Sequence, residues 1–367
     1  MPLEAPLNVY PLVTVIVPTF NRASFLEETI DSILEQDYPN IELIVLDDGS
    51  IDDTPDVLAK YGDRIIVERH DNIGETLTVN KGFKLAHGDY VCVVNSDDPI
   101  LPGLIRAGVI ALECNPAALA GYPDWREIGP YSEPLAELTM MDHSLETMLR
   151  QFNVAIGPGV MIRRTAFDIV GLRNPQLRYT GDLDFWFRVM LHGRMVHIPR
   201  VLATHRVHPG AASVTARDAR MSEEVVRLAY MAIDHPNCPA GVRKHRRRIL
   251  ANAHFEARNY CGKDRRARRR HYLRYLVLNP VNILRVLAAF WRQFVVILRA
   301  VLRRCLGTWG DRLWAVLSFH VMGLRRHAGF QGQRLWAVLC FHIIRLFLLR
   351  DIRRGDSAGR ASERSVV

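Results

Sequence analysis

Short apolar runs rich in β-branched residues recur through the first hundred residues, and amphipathic segments separate them. The apolar runs predict buried strands at Val13–Val17, Ile41–Leu46, Ile65–Glu68 and Tyr90–Val94. The segments between them predict helices over Ala23–Gln36, from about Thr54 to Tyr61, and over Glu75–Ala86. Strands and helices that alternate with short loops indicate βαβ units and a mostly parallel sheet.

Polar loops follow three of these strands: Thr19–Arg22, Asp47–Ser50 and Asn95–Asp98. Because parallel strands end on the same edge of a sheet, the three loops are expected to meet, and they indicate a nucleotide pocket there. Asp97 and Asp98 are adjacent carboxylates, which repel unless a proton or a cation lies between them. A metal–diphosphate site is one interpretation. The alternative is a polar turn with solvated acids.

The second half of the chain has a weaker pattern. We predict a helix over Gly103–Glu113, a loop or irregular strand over Tyr122–Pro134, and a strand at Val160–Ile162. Edge strands are predicted at Arg194–Ile198 and Val201–His205, and helices over Glu224–Ile233 and Val242–Arg270.

Charge divides the 367 residues unevenly. Residues 1–210 carry 17 basic and 29 acidic side chains, a net charge of −12, whereas the rest carries 31 and 10, a net of +21. The basic part is therefore expected to meet a polyanion, which can be anionic lipid, nucleic acid or an acidic partner. Six scattered cysteines without a Cys-x-x-Cys pair favour a reduced compartment over a disulfide scaffold or a zinc site. The N-terminus lacks a basic, then apolar, signal-peptide pattern.

From Leu273 to Arg350 the chain is rich in large apolar residues but repeatedly interrupted by arginine. The longest charge-free stretch, Leu313–Leu324, is too short for a transmembrane helix, so we predict amphipathic helices in a membrane interface. Residues 310–320 recur as residues 332–342 with nine of eleven positions identical. A duplicated membrane anchor is one interpretation, and a helical hairpin packed on protein is the other. The tail from Gly355 is predicted to be disordered.

The spacing of several motifs resembles that of family 2 glycosyltransferases with a GT-A fold. The motifs are residues 17–22 (VPTFNR), 47–50 (DDGS), Asn72-x-Gly74, 80–82 (NKG), 86–90 (AHGDY) and 95–98 (NSDD). The resemblance covers about residues 10–215. It implies an α/β GT-A fold with a mostly parallel central sheet, here followed by an α-helical C-terminal extension, and an inverting transfer of sugar from a nucleotide diphosphate.

The resemblance also assigns site residues. Pro18, Thr19, Asn21, Asp47, Asp48, Ser96 and Arg206 would bind the donor, with Asp48 on the base. Asp97, Asp98 and His208 would hold Mg²⁺ or Mn²⁺. Asn95 stands where the family often has Asp, so Ser96 or Asp98 would contribute instead. Read without the other motifs, Asp-Asp-Gly-Ser is also an ordinary turn that bonds its own backbone.

Asp182 occupies the position of the catalytic base in the segment Gly181–Arg188. A carboxylate there would take the proton of the acceptor hydroxyl as that oxygen attacks the sugar. Gly181 replaces the glutamate usual before that aspartate, so Asp184 would help to orient the site. The simpler interpretation of Asp182 is a helix N-cap, and the two roles are compatible.

Together these features predict a catalytic domain over residues 1–215, a basic helical region over 216–272, membrane-associated helices over 273–352 and a tail over 353–367. The expected acceptor is a glycan or lipid-linked hydroxyl, and the expected location is the cytoplasmic face of a membrane. A Rossmann dinucleotide enzyme is disfavoured because no Gly-x-Gly-x-x-Gly follows the first strand. A non-catalytic scaffold that binds nucleotide sugars or polyanions is the remaining alternative; nucleic acid is not expected as a partner.

Overall fold

The computed structural model describes residues 9–140, 144–151, 156–211, 217–279 and 281–306. Within these ranges the strands are β1 (Val13–Thr19), β2 (Ile41–Asp47), β3 (Ile66–Arg69), β4 (Tyr90–Val93), β5 (Ala118–Ile128), β6 (Pro134–Leu138), β7 (Met161–Arg163) and β8 (Arg194–Arg206). The four predicted N-terminal strands are all confirmed, within two residues at each end. The predicted internal repeat, the Leu313–Leu324 stretch and the tail lie outside the described residues.

Twelve α-helices are described in the same ranges. They are α1 (Ala23–Leu34), α2 (Thr54–Ala59), α3 (Glu75–Leu85), α4 (Leu104–Glu113), α5 (Leu145–Gln151), α6 (Ala166–Val170), α7 (Gly181–His192), α8 (Ala219–Asp234), α9 (Ala240–Arg243), α10 (Arg246–Ala257), α11 (Arg265–Leu278) and α12 (Val281–Leu306).

The strands form one mixed sheet in the order β3-β2-β1-β4-β7-β5-β6, and β8 pairs with the other edge of β5. β1, β2, β3 and β4 run parallel, whereas β7 is antiparallel to both β4 and β5. The sequence pattern located β1, β2 and β4 because these strands are largely buried on both faces and are therefore nearly continuous apolar runs.

Helices cover both faces of the sheet. Val13, Val15 and Val17 of β1 point into one core with α1, α2 and α4, while Ile16 points into a second core with α3, α7, α8 and α10. This alternation follows from the two-residue repeat of a strand. The sheet thus holds the carboxyl ends of β1, β2 and β4 rigidly on one edge.

The predictions for the second half were confirmed in part. Residues 122–128 belong to an irregular strand, β5, which was one of the two alternatives predicted there. Both predicted edge strands lie within β8, but their division into two segments is wrong, because β8 is continuous. The parallel pairing of β5 with β8 contains register shifts near Pro123, and such bulges accommodate a residue that cannot donate to the ladder. Proline in both strands had broken the apolar pattern on which the prediction relied.

The predicted helix Val242–Arg270 is also wrong, because it breaks into α9, α10, a short 3₁₀ turn and the start of α11. Gly262 has a φ of +54°, and a Cβ there would lie 2.2 Å from the carbonyl oxygen of Arg217. Asp264 then caps α11 by accepting a hydrogen bond from the amide of Ala267. A glycine turn followed by a capping aspartate therefore ends one helix and begins the next.

The chain divides into two compact units, Met1–Asn282 and Ile283–Val367. The first contains the sheet and the basic helices α10 and α11, and the second contains nearly all of α12. No helix in the described ranges is long and apolar enough to cross a membrane.

Candidate active site

The loops after β1 and β2 are locked together at the carboxyl edge of the sheet. The side-chain oxygen of Asn21 accepts a hydrogen bond from the amide of Ile51 (2.9 Å), and the amide of Asn21 donates to the hydroxyl of Ser50 (2.9 Å). Asn21 has a φ of +52°, a conformation that asparagine tolerates better than most residues. Asn21 therefore shapes the pocket by holding two loops, and Pro18 lies buried within β1 beside it.

Asp47 and Asp48 have different environments although they are adjacent. Both carboxylate oxygens of Asp48 accept backbone N–H groups, from Ile73 (2.7 Å) and Gly74 (3.0 Å). Asp47 uses Oδ1 to accept the amide of Ser50 (2.8 Å). Its Oδ2 is buried and accepts no hydrogen bond, although Nε of Arg69 lies 3.3 Å away as an ion-pair partner. Oδ2 of Asp47 is therefore the one oxygen of the two carboxylates that accepts no hydrogen bond, whereas both Asp48 oxygens bond the backbone that leads into α3.

Three buried polar atoms without a hydrogen-bond partner lie at neighbouring strand ends. They are Oγ1 of Thr19, Oδ2 of Asp47 and Nε2 of His70. Thr19 and Asp47 are register partners across β1 and β2, and the amide of His70 donates to the carbonyl of Asp47 (3.1 Å). Buried polar atoms are almost always paired, so a cluster of unpaired ones indicates a pocket that a polar ligand completes.

Asp97 and His208 meet beside this pocket. Oδ2 of Asp97 lies 3.0 Å from Nε2 of His208 and 3.4 Å from Nε of Arg22. The Asp97 side chain is 16% exposed, and the imidazole of His208 packs on the ring of Phe25 with a centroid distance of 4.7 Å. A carboxylate oxygen and an imidazole nitrogen at this separation suit two adjacent ligands of one octahedral cation.

The other acidic residue of the pair, Asp98, is occupied by protein contacts. Its Oδ1 accepts the amide of Arg206 (2.6 Å), and its Oδ2 accepts the side-chain amide of Asn95 (2.8 Å). The hydrogen bond with Asp98 also raises the pKa of His205. Asp98 therefore fastens the end of β8 to the loop, and Asn95 is its partner rather than a ligand. Of the three predicted metal ligands, Asp97 and His208 lie together, whereas both Asp98 oxygens accept hydrogen bonds from the protein.

Two further predicted donor contacts are also buried. Ser96 accepts the hydroxyl of Thr29 on its backbone carbonyl (3.2 Å). Arg206 is 1% exposed and sits over the ring of Phe25. Its guanidinium donates to Glu28 (2.6 Å), to the carbonyl of Asp97 (2.8 Å), and to three acceptors in residues 129–132. Arg206 thus holds the backbone carbonyl of Asp97 with its buried guanidinium instead of facing the pocket.

Asp182 lies in the first turn of α7, where its Oδ1 accepts the amide of Leu183 (2.8 Å). The α7 terminus packs against the start of α3, and a Cβ on Gly181 would lie 2.8 Å from Oγ1 of Thr76. This contact explains why glycine replaces the glutamate expected before the base. The proposed orienting residue, Asp184, is buried and paired with Arg188 (2.8 Å).

Sequence reasoning did not assign roles to Arg22, Arg69, His70, Glu75 or Arg173. Each lies at a strand end, a helix start or a loop whose position depends on the folded sheet. The one signal in the sequence was that Arg22 belongs to the first polar loop. Within the described ranges, no three His, Cys, Asp or Glu side chains converge closely enough to bind a metal ion as a set.

A mixed sheet with helices on both faces and a polar pocket at the ends of its parallel strands fits the GT-A architecture of nucleotide-sugar transferases. The profile of glycosyl transferase family 2 matches residues 14–170. An uncharacterized glycosyltransferase of Rickettsia prowazekii is 31% identical over 219 residues, which are 57% of this chain and 68% of that protein. The chain belongs to glycosyl transferase family 2 and is a glycosyltransferase.

Two other similarities concern parts of the chain. A Bacillus subtilis protein, TuaG, named as a glycosyltransferase of teichuronic acid biosynthesis, is 40% identical over 95 residues, 25% of this chain and 38% of that protein. The crystal structure of Staphylococcus aureus TarS residues 1–349 with UDP-GlcNAc superposes with a TM-score of 0.53 at 22% identity. The match covers 67% of this chain and 73% of the TarS 1–349 chain, and it confirms the GT-A fold.

Proposed function

We propose that this protein transfers a sugar from a nucleotide diphosphate to an acceptor hydroxyl with inversion of configuration. The main observation in support of this proposal is the cluster of buried atoms on Thr19, Asp47 and His70 that have no hydrogen-bond partner, beside the Asp97–His208 pair. The first group offers hydrogen-bond partners to a nucleobase. The second group, Asp97 and His208, offers a carboxylate and an imidazole at the position proposed for the diphosphate that is attached to the nucleoside. The complex of TarS with UDP-GlcNAc supports a nucleotide sugar as the donor.

Asp97 and His208 are the residues that would hold Mg²⁺ or Mn²⁺. Such an ion supplies positive charge that offsets the charge developing on a leaving diphosphate. Arg22 lies 3.4 Å from the same Asp97 oxygen and is 24% exposed, so it provides a fixed cation at this position as well. Arg206 keeps the Asp97 backbone in place through its 2.8 Å hydrogen bond to the carbonyl.

Asp182 is the proposed base. Its carboxylate stands at the start of α7, where the helix dipole favours the negative charge of the carboxylate. It would accept the proton of the acceptor hydroxyl while that oxygen attacks the anomeric carbon and the bond to the diphosphate breaks. This single displacement requires no covalent enzyme intermediate. A non-catalytic scaffold is not favoured, since the family to which the chain belongs consists of transferases.

A thermal-shift screen of UDP-GlcNAc, UDP-glucose and GDP-mannose, with and without Mn²⁺, tests the donor site. A ligand present at one hundred times its Kd stabilises the folded state by about 2.7 kcal/mol. We expect one nucleotide to raise Tm, more so with Mn²⁺, and Asp97→Asn to lose the Mn²⁺-dependent part. Asp168→Asn, on the exposed side of α6, is the matched control. If none of the sugar nucleotides shifts Tm, the proposed donor site is wrong.

We further propose that the basic helices bind the cytoplasmic face of a membrane and so meet a glycan or lipid-linked acceptor. One face of α11 exposes Arg266, Arg269 and Arg274 together with Leu273 and Val277, which are 51% and 71% exposed. In the second unit, α12 exposes Phe294, Val296 and Ile297. Arginine beside exposed apolar side chains suits an anionic interface.

Vesicle flotation tests this membrane proposal. Each arginine near an anionic leaflet contributes about 1 kcal/mol, so binding to phosphatidylglycerol vesicles should exceed binding to phosphatidylcholine vesicles and weaken with salt. The pair Arg266→Glu and Arg269→Glu should reduce flotation, whereas Lys60→Glu, remote from α11 along the chain, should not. Retention by RNA or DNA without any flotation would overturn the proposal.

A further inference from the structure

Glu75 is an acidic side chain at the active site to which no role has been assigned. It is the first residue of α3 and follows Gly74, whose φ is +87°. Its Oε1 accepts a hydrogen bond from Nη1 of Arg173 at 3.1 Å. Arg173 is itself fixed by α3, because Asn80 accepts from its backbone amide (2.9 Å) and donates to its carbonyl (2.8 Å). The arginine side chain is 8% exposed and that of Glu75 is 55% exposed. Arg173 is therefore buried and held in place, while the Glu75 carboxylate that it contacts is exposed to solvent.

The position of Glu75 is set by the packing of α3 against α7. Its neighbour Thr76 donates to the carbonyl of Leu177 (3.1 Å) and fills the space beside Gly181, the residue before Asp182. Desolvation raises the pKa of Glu75, and the positive charge of Arg173 lowers it. The negative charges of Asp182 and Asp97 raise the same pKa. Because more than half of the side chain is exposed, water weakens the desolvation effect. Glu75 nevertheless lies within electrostatic range of both the proposed base and the proposed metal ligand.

The segment that carries Glu75 connects the two parts of the proposed site. The amide of Gly74, the residue before Glu75, donates to Asp48 at 3.0 Å, and Thr76, the residue after it, lies beside Gly181, which precedes Asp182. The charges of Asp182 and Asp97 also act on Glu75, although within the described residues the three carboxylates do not form a metal-binding set. Under the proposed function, the diphosphate lies at Asp97 and the acceptor at Asp182, so the transferred sugar lies between them, and Glu75 is the exposed carboxylate of the connecting segment.

We propose that Glu75, oriented by Arg173, binds hydroxyl groups of the transferred sugar and so contributes to donor specificity. This inference rests on the proposed function. A carboxyl oxygen accepts hydrogen bonds from sugar hydroxyls, and the arginine fixes its plane. Three carboxylates around the ring also oppose a second negative charge on the sugar, so the site suits a neutral sugar rather than a uronic acid.

The test compares a sugar nucleotide with its bare nucleotide in wild type, Glu75→Ala and Glu75→Gln. Calorimetric Kd values are measured for UDP-GlcNAc and UDP, and for GDP-mannose and GDP. Loss of a hydrogen bond to a charged group corresponds to roughly 10- to 100-fold in affinity. We expect Glu75→Ala to raise the Kd of the sugar nucleotide by that factor and Glu75→Gln to raise it less. Both variants should leave the Kd of the bare nucleotide within about twofold of wild type. Glu68→Gln, which alters a surface ion pair with Lys81, is the matched control and should change neither Kd.

Each other outcome has a distinct meaning. Equal weakening of the sugar nucleotide and the bare nucleotide would place Glu75 at the phosphates, and unchanged values would exclude it from binding; either overturns the inference while the proposed function stands. A shift in the pH–rate profile alone would show that Glu75 acts on Asp182 and not on the sugar. If wild-type protein binds neither sugar nucleotide nor bare nucleotide, the proposed function itself fails.

Discussion

Asp47→Asn and Asp48→Asn should have opposite consequences although the two residues are neighbours. The Asp48 carboxylate accepts two backbone N–H groups from the segment that begins α3, whereas Asp47 uses one oxygen on Ser50 and leaves the other without a hydrogen bond. We therefore predict that Asp48→Asn mainly lowers stability and that Asp47→Asn mainly lowers nucleotide affinity.

The expected magnitudes follow from these contacts. A hydrogen bond to a charged acceptor contributes about 1.5–3 kcal/mol, and asparagine at 48 would turn an NH₂ group toward one backbone N–H. Losing one bond and weakening the other amounts to about 3 kcal/mol, or a fall in Tm of roughly 6–12 °C for a unit of this size. Asparagine at 47 keeps its bond to Ser50. It loses only an ion pair with the 56%-exposed Arg69, which contributes less than about 1 kcal/mol.

Two assays separate the variants. Circular dichroism gives Tm, and calorimetric titration with UDP gives Kd. We expect Asp47→Asn to keep Tm within about 3 °C of wild type. The same variant should raise the Kd for UDP roughly 10- to 100-fold, because a charged acceptor is lost from the pocket. A destabilised Asp47→Asn with normal UDP affinity, together with a stable Asp48→Asn that no longer binds, would refute the assignment.

Three further predictions concern stability. Arg206→Lys should lower the free energy of unfolding by about 3 kcal/mol, seen as a lower Tm, since lysine cannot replace the buried fork; unchanged stability would contradict this. Gly181→Ala should cost about 1–3 kcal/mol by denaturant unfolding, and Thr76→Ala should relieve part of it. Burial lowers the pKa of His254 from 6.5 to about 4, so the unfolded chain takes up the proton first and stability falls as pH drops through that window. The free energy of unfolding falls by about 1–2 kcal/mol after allowance for the partial exposure of this side chain. His254→Gln should make the free energy of unfolding depend less on pH across this range.

The sequence was sufficient for the parallel half of the sheet. Buried strands such as Val13–Thr19 are continuous apolar runs, and the polar residues after them were correctly expected on one edge. The long pairing of β5 with β8 was not predictable, because prolines interrupt both strands and their partners lie about 75 residues apart along the chain.

The roles of individual site residues depend on contacts that no local pattern reveals. Asp48 differs from Asp47 because the fold brings the backbone N–H groups of Ile73 and Gly74 to its carboxylate. The burial of Arg206 depends on Glu28 and on residues 129–132, far away in the sequence. The motif position of Arg206 therefore suggested a contact with the donor, whereas its guanidinium donates hydrogen bonds to other groups of the protein.

The rate at which UDP is released from UDP-GlcNAc, or GDP from GDP-mannose, tests the proposed chemistry in wild type, Asp182→Asn and the control Asp168→Asn. Water is the acceptor in this assay: its oxygen bonds to the anomeric carbon, and Asp182 takes its proton. A positioned general base contributes typically 10²- to 10⁴-fold to a rate. We predict that Asp182→Asn slows nucleotide release by at least about 100-fold while its Kd for the sugar nucleotide and its Tm stay near wild type. Asp168→Asn should release nucleotide at the wild-type rate. Equal rates in Asp182→Asn and wild type would show that Asp182 is not the base.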